Sequence, residues 1–368
     1  MKICKAPWNH IQVNSEGIIS PCCVFYPTNY KNTYNSLQEA FDGPENVLLR
    51  KQMLEGKTIN GCSKCDLYDK TGLTPLRKYF DHYDIDNPKI RELEYSIDNL
   101  CNFKCVTCNS RFSSKWLKDD NELIKLGISR PISKAVKQNK ARISYHEKMK
   151  ECDLSELQYL KLLGGEPFIN EKYLELLHSI DLSKLTIMIT TNNSVFPKKW
   201  IKTLLKCKKI RLMISIDGVD EVGEFVRYGM KQKIFTKNLR LWKNISNDYS
   251  NLEISFNYVF NILNSYNLNK TLDYIKSENH EGIFIVDYLT GPDYLNAQFL
   301  SDNIKKNIEI HISKYKKNHE IVSFLKNKNF SDKIMKDFLM YCNFLEKRIQ
   351  LPKECEDIYN EVIKALSK

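Results

Sequence analysis

Three thiols stand within eight positions in CNFKCVTC, residues 101 to 108: Cys101, Cys105 and Cys108. A structural zinc site closes on four ligands, so a local set of three poses a different chemistry. A cubic [4Fe–4S] cluster needs one external ligand on each iron. Three thiolates hold three irons and leave the fourth open to a small molecule, which it can chelate and supply with an electron. The competing reading is zinc completed by a distant fourth ligand.

A second set lies nearer the start. Cys4, one of Cys22 and Cys23, Cys62 and Cys65 supply four thiolates, which close a site, and either zinc or a cubic cluster fits four. Adjacent residues in an extended strand point to opposite faces, so one of Cys22 and Cys23 is the expected ligand, and Cys22 is the favoured one. The chain shows no long apolar h-region near Met1 and no membrane-length apolar run, and a cytoplasmic location is expected. In a reducing compartment clustered thiols indicate metal rather than disulfides. The isolated Cys152, Cys207, Cys342 and Cys355 read as small buried hydrophobes.

The elements that must position these thiols come next. Residues 1 to 85 are irregular and cysteine-bearing, with a hairpin turning at Ser15-Glu16-Gly17 and one helix from about Ser36 to Glu55, ending at Gly56. Residues 86 to 295 alternate apolar strand candidates with helical patterns: 93–99, 157–164, 185–192, 210–217, 252–260 and 282–289. That alternation predicts an α/β class, a parallel sheet in the form of a partial (β/α)6 barrel, with chemistry at the C-terminal strand ends. Residues 296 to 368 read as a helical C-terminal extension. The segment from about 112 to 155 is long for a crossover and is expected to carry extra helices or a lid.

Further polar groups sit at those strand ends. Gly164-Gly165-Glu166-Pro167 follows the second strand; glycines let backbone approach a ligand, and free carbonyls accept bonds from an ammonium group. Asn192 ends the third strand. Ser215-Ile216-Asp217-Gly218 ends the fourth, and Arg227 lies beyond it; an amide or guanidinium there suits a carboxylate. Asn257 or Tyr258, and Asp287 or Tyr288, face the barrel mouth, one of each pair at most. The seven histidines are dispersed, and no catalytic acid or base is assigned.

CX3CX2C after a first strand, then GGEP and SIDG in order, resembles the radical S-adenosylmethionine superfamily. The N-terminal cysteines resemble the SPASM/twitch auxiliary-cluster domains attached to many of its members, in an N-terminal-twitch arrangement. The resemblance spans about residues 4 to 290. It implies a [4Fe–4S] cluster on Cys101, Cys105 and Cys108 and bound S-adenosylmethionine. It also implies an auxiliary [4Fe–4S] cluster on Cys4, Cys22, Cys62 and Cys65. Gly164, Gly165, Glu166, Pro167, Asn192, Ser215, Asp217 and Arg227 then contact the cofactor. Thr107 departs from the aromatic residue often found before the third cysteine, so adenine is packed by another group. The implied activity is reductive cleavage of S-adenosylmethionine to a 5′-deoxyadenosyl radical that abstracts hydrogen from an unidentified peptide, protein or small metabolite. An electron donor such as flavodoxin or ferredoxin is the implied partner.

Composition sets the outer bounds. With 42% hydrophobic residues the chain can bury a large core. The net charge of +11 is scattered rather than gathered, so neither a nucleic-acid nor a membrane partner is expected. The alternative from another class is a metal-stabilised, non-catalytic binding module, with nucleic acid as its ligand.

Overall fold

Side chains that alternate in polarity along an extended segment place one kind on each face of a sheet, and the middle of this chain does so repeatedly. The computed structural model describes residues 3–25, 34, 36–70, 74–131 and 152–367. Its strands are β1 (His10–Val13), β2 (Ile19–Ser20), β3 (Glu92–Ser96), β4 (Lys104–Cys105), β5 (Tyr159–Leu163), β6 (Thr186–Thr191), β7 (Lys209–Ser215), β8 (Arg227–Tyr228), β9 (Leu252–Phe260) and β10 (Phe284–Tyr288). The six strands expected between 90 and 290 are β3, β5, β6, β7, β9 and β10. Helices Glu171–His178, Lys198–Leu204, Asp220–Val226, Gln232–Asp248 and Leu268–Ser277 alternate with them from β5 onward. The class is α/β, a mostly parallel sheet with helices. Of the long segment from 112 to 155, residues Leu117–Lys125 form a helix, and 132–151, with the basic run Lys134 to Arg142, lie outside the described residues.

The described residues fall into two compact units. One takes in Met1–Leu100, Ser133–Thr190 and Pro197–Arg211; the other takes in Cys101–Ile132, Thr191–Phe196 and Leu212–Lys368.

In the first unit the strand order is β6-β5-β3-β1-β2. β1 is parallel to β3, β3 to β5 and β5 to β6, while β2 returns antiparallel to β1. The hairpin turns where expected: Asn14 Oδ1 accepts from Glu16 N and Ile18 N, and Gly17 takes φ +75°. That β1 also extends the parallel sheet was not legible locally, because its partner β3 lies far along the chain. One face of these strands is apolar: Leu160, Leu162, Ile187 and Ile189 are wholly buried. Helix Glu171–His178 contributes Tyr173, Leu176 and Leu177 to the core. Each such Leu or Ile contributes about 1.5–3 kcal/mol.

The single helix expected from Ser36 to Glu55 is two helices, Leu37–Asp42 and Pro44–Leu54. Pro44 has no N–H to continue the first, and Gly43 is extended at its end. Gly56, at φ +68°, follows the second as expected.

In the second unit β10 lies parallel to β9, and β4 pairs antiparallel with β8. Beyond 296 the chain forms helices Asp302–His311, Asn318–Leu325, Asp332–Glu346 and Lys353–Leu366. Their apolar faces share one core with Val106 and Trp116 from the three-cysteine segment, through Phe338, Tyr341, Ile358 and Val362. Cys342 and Cys355 belong to that core, as their isolation suggested. Lys305 is buried, with its ammonium donating to Lys328 O at 2.8 Å. Among the described residues no helix is long and apolar enough to cross a membrane.

His280 makes this unit sensitive to acid. Its ring meets Phe256 edge-on at 5.5 Å, and its Nε2 is buried without a hydrogen-bond partner. Burial lowers its pKa to about 4. Between the unfolded value of about 6.5 and that folded value, the unfolded chain binds more protons, so stability is lost as pH falls through the window. Urea midpoints at pH 7 and pH 4.5 should differ by the equivalent of about 1 kcal/mol from this ring, with solvent screening allowed for. The difference should shrink in His280→Phe. An unchanged difference in the variant would clear His280.

Candidate functional site

The three-cysteine segment is held by a short ladder. Cys105 sits opposite Arg227 and Lys104 opposite Tyr228, and Val106 N donates to Val226 O at 2.8 Å. Cys101 and Cys105 are buried, and Cys108 is half-buried. The thiols of Cys105 and Cys108 are hydrogen-bonded, which lowers the pKa of Cys108 and raises that of Cys105, with burial working upward on both. Cys101 also acts electrostatically on Cys108. Two donors address the Cys101 sulfur: Phe103 N at 3.4 Å and Asn192 Nδ2 at 3.9 Å. Asn192 Nδ2 also donates to Asn102 Oδ1 at 2.9 Å.

Arg227 supplies positive charge to this thiol set. It donates to Asp217 Oδ2 at 2.5 Å, and Asp217 Oδ1 accepts from Val259 N at 2.8 Å. Both carboxylate oxygens of Asp217 therefore have partners within the protein. The guanidinium lies 5.9 Å from the Phe103 ring centroid and acts on both Cys105 and Cys108. Its Nε is buried and has no hydrogen-bond partner. A buried N–H without a partner is costly, and a negatively charged group would answer it.

Behind the loop stands a group the sequence did not announce. Arg130 is buried; its Nε donates to Asp120 Oδ1 at 2.7 Å, its NH1 to Tyr294 OH at 2.9 Å, and its NH2 to Cys108 O. The guanidinium lies 4.6 Å from the Trp116 ring centroid, and Trp116 Nε1 donates to Cys105 O at 2.9 Å. Tyr341, from the C-terminal helices, donates its hydroxyl to Val106 O at 2.7 Å. Backbone carbonyls of three loop residues are thus held from behind. Arg130 and Tyr341 lie too far from the cysteines in sequence for spacing to reveal them.

Gly164 to Pro167 belong to the first unit. The glycines also meet a packing requirement of their own. A Cβ on Gly165 would lie 1.9 Å from Leu100 O, and one on Gly164 would lie 2.6 Å from Asp98 O. Both take positive φ, +49° and +83°. The turn is packed against the residues that lead into Cys101, and Glu166 N donates to Leu100 O at 2.8 Å. Glu166 is buried and caps the short turn Pro167–Ile169 by accepting from Phe168 N. Gly165→Ala should therefore cost more than about 2 kcal/mol or prevent folding. Gly127→Ala, at φ +88° with open space around it, should cost only about 1 kcal/mol. Equal losses in urea unfolding would show that close packing at Gly165 is unimportant.

Also in the first unit, Cys4, Cys22, Cys62 and Cys65 act on one another: Cys4 on Cys22 and Cys62, and Cys65 on Cys4 and Cys62. Burial raises Cys4 to about 11 and Cys62 to about 12. Cys23 is raised to about 11 by burial; it acts on Cys22, and its own charged neighbours are Glu94, Lys161 and Lys64. Arg77 lies beside the four-thiol set, paired with Asp66, and its Nε is buried without a partner. Each thiol set thus has a buried arginine with an unanswered Nε. Among the described residues no three His, Cys, Asp or Glu side chains gather as ligands of one metal ion. A cubic cluster places each thiolate on a different iron, and these donor sets fit it.

Of the remaining candidates, Ser215 is half-buried at the end of β7. Tyr258 is core, with its hydroxyl on Asn264 O, and leaves half-buried Asn257 as the polar member of its pair. Asp287 is exposed, while Tyr288 stacks on Phe324 at 4.6 Å. Missed altogether were Glu92 and Glu94, buried in β3, and Lys161 of β5. The signal was present: E-L-E-Y-S alternates with period two, where a near-continuous apolar strand had been expected.

Comparison with known proteins places this geometry. Residues 95–260 match the model of the radical SAM superfamily, and residues 4–66 match SPASM, an iron–sulfur cluster-binding domain. Two curated relatives, GTP 3′,8-cyclases from Clostridium perfringens strains SM101 and 13, are each 24% identical over 191 residues, covering 50% of this chain and 51% of theirs. The chain thus spans about half the length of the curated relatives it matches. Among solved structures, Streptococcus suis SuiB bound to S-adenosylmethionine gives a TM-score of 0.38 at 16% identity, covering 83% of this chain and 54% of that one. SuiB bound to its precursor peptide SuiA gives 0.39 at 14%, covering 81% and 56%. The three-thiol loop and the four-thiol set each fall inside the matching domain, and the chain carries a radical S-adenosylmethionine domain with a SPASM/twitch-type iron–sulfur domain ahead of it.

Proposed function

We propose that this chain cleaves S-adenosylmethionine and uses the product to abstract hydrogen from a substrate. The observation that carries the reading is the set Cys101, Cys105 and Cys108, three thiols beside a buried arginine with an unanswered Nε. When bound there, a [4Fe–4S] cluster with S-adenosylmethionine supplies one-electron cleavage and a 5′-deoxyadenosyl radical.

The chain's own residues have definable tasks. The three cysteines would hold the cluster and leave one iron for the cofactor. Arg227, fixed by Asp217, keeps an Nε–H free for a negatively charged group. Asn192 orients the Cys101 sulfur. Gly164 to Pro167 and Ser215 are assigned to the cofactor's polar groups. Cys4, Cys22, Cys62 and Cys65 are assigned to an auxiliary cluster, with Arg77 beside it. A donor of the flavodoxin or ferredoxin kind supplies the electron. The substrate is a peptide, a protein or a small metabolite. A non-catalytic binding module is not favoured, since the superfamily match spans the thiol loop, four of the six core strands and the end of β3.

The test is anaerobic purification and reconstitution with iron and sulfide, then addition of S-adenosylmethionine and a reductant, with 5′-deoxyadenosine followed by mass. A zinc-loaded, colourless protein that forms none would overturn the reading.

A further inference from the structure

The first unit contains a cavity of about 170 Å³ lined by the polar face of its strands. Strand register builds that face. His10, Glu92 and Tyr159 are cross-strand neighbours in one row; Gln12, Glu94, Lys161 and Met188 form the next. Residues two apart share a face, so both rows look the same way. Cys22 and Cys23 line the same cavity.

The charges there are unequal. Glu94 has Lys161 Nζ at 3.6 Å and Gln12 Nε2 at 3.4 Å, both on Oε1. Glu92, only 3% exposed, forms no ion pair among the described residues. Its partners are phenols: Tyr83 OH donates to Oε1 at 2.7 Å, and Tyr79 also hydrogen-bonds it. Arg211 acts on Tyr79 and hydrogen-bonds the Tyr159 phenol. His10 Nδ1 lies 2.8 Å from Pro21 O and must donate to it, which in the neutral ring leaves Nε2 as an acceptor. The cavity is therefore rich in acceptors and holds a buried carboxylate without a cation, an arrangement that is costly until a cation enters.

We propose that this cavity receives a cationic group of the substrate, an ammonium or guanidinium, with Glu92 as its anion and Lys161 reserved to neutralise Glu94. Calling the ligand a substrate rests on the radical-enzyme reading; the cation site itself does not. The site gives the substrate a fixed end beside Cys22, one of the four thiols assigned to the auxiliary cluster.

The experiment is a ligand-observed NMR titration of the reconstituted full-length protein, without S-adenosylmethionine or reductant. The probes are n-butylammonium, n-butylguanidinium, butyrate and n-butanol, with Nα-acetyl-lysine methylamide as a peptide-like arm. The cations should bind and butyrate should not. Glu92→Gln should weaken cation binding about tenfold, the scale of one charge-assisted bond. Lys161→Met should strengthen it several-fold by freeing Glu94, a change of opposite sign that misfolding cannot imitate. Tighter binding of the lysine amide than of butylammonium would identify a peptide side chain as the source, and the reverse a free amine. Equal binding of butyrate and butylammonium would overturn the proposal, as would cation binding unmoved in a folded Glu92→Gln or in Lys161→Met. Because no radical chemistry is involved, failure here leaves the cleavage reading standing. Loss of 5′-deoxyadenosine formation with intact cation binding would overturn only the cleavage reading.

Discussion

Replacing Cys105 with alanine should abolish 5′-deoxyadenosine formation and remove about four irons per chain, one cubic cluster. Two neighbouring thiols hold only two corners of a cubane. The fold should survive: the Cys105 carbonyl, not its sulfur, holds Trp116, and the ladder to Arg227 is backbone. Cys342→Ala is the matched control, another fully buried thiol but one embedded among apolar side chains. It should cost about 1 kcal/mol of stability through lost packing and leave iron and turnover unchanged. Cys62→Ala should also lose about four irons but leave the absorption of the other cluster in place. If Cys105→Ala retains full iron and turnover, the three-thiol loop is not the cluster site.

The second large effect is expected at Arg130. With Asp120 it forms an ion pair whose side chains are 1% and 0% exposed. Arg130→Met keeps length and apolar contact with Trp116 but strands the Asp120 charge inside the protein. Breaking a buried pair from one side costs about 3–5 kcal/mol. Asp120 Oδ2 retains Ser110 N at 2.6 Å, so part of the charge stays answered. Arg130→Lys should fall between, since an ammonium cannot reach Asp120, Tyr294 and Cys108 O together as the planar fork does. Adding Asp120→Asn to Arg130→Met should recover much of the loss. Urea unfolding measures stability, and the cluster's electron paramagnetic resonance spectrum reports whether the Cys108 backbone has shifted. A Met variant within about 1 kcal/mol of wild type would remove Arg130 from the account of how the loop is held.

How far each feature was legible follows from the distance over which it is encoded. The hairpin at Ser15-Glu16-Gly17 depends on a few adjacent residues and was read correctly. So were the six core strands, each marked by apolar residues in a continuous or an alternating run. The break at Gly43-Pro44 was equally local, and the chemistry of proline would have found it. The buried Glu92 and Glu94 were harder. A charge in a strand ordinarily points to water, and only the register against Gln12 and Lys161 shows that both face a shared interior cavity. The glycines of GGEP were read as making room for a ligand. That they also pack against Asp98 O and Leu100 O is something no spacing rule supplies.

The sequence by itself determined the chemistry available: three thiols at a spacing that leaves one iron open, four more that can close a second site, and the strand–helix alternation that carries them. Those are properties of short windows, where spacing and period are set by covalent geometry. Tertiary structure decided what surrounds the thiols. It brought Arg227 against Cys105 through the β4–β8 ladder, and Tyr341 onto the carbonyl of Val106 across 235 residues. It also assigned the C-terminal helices to the support of that loop. Such pairings arise when distant apolar faces share one core, and no local pattern records which distant face that will be.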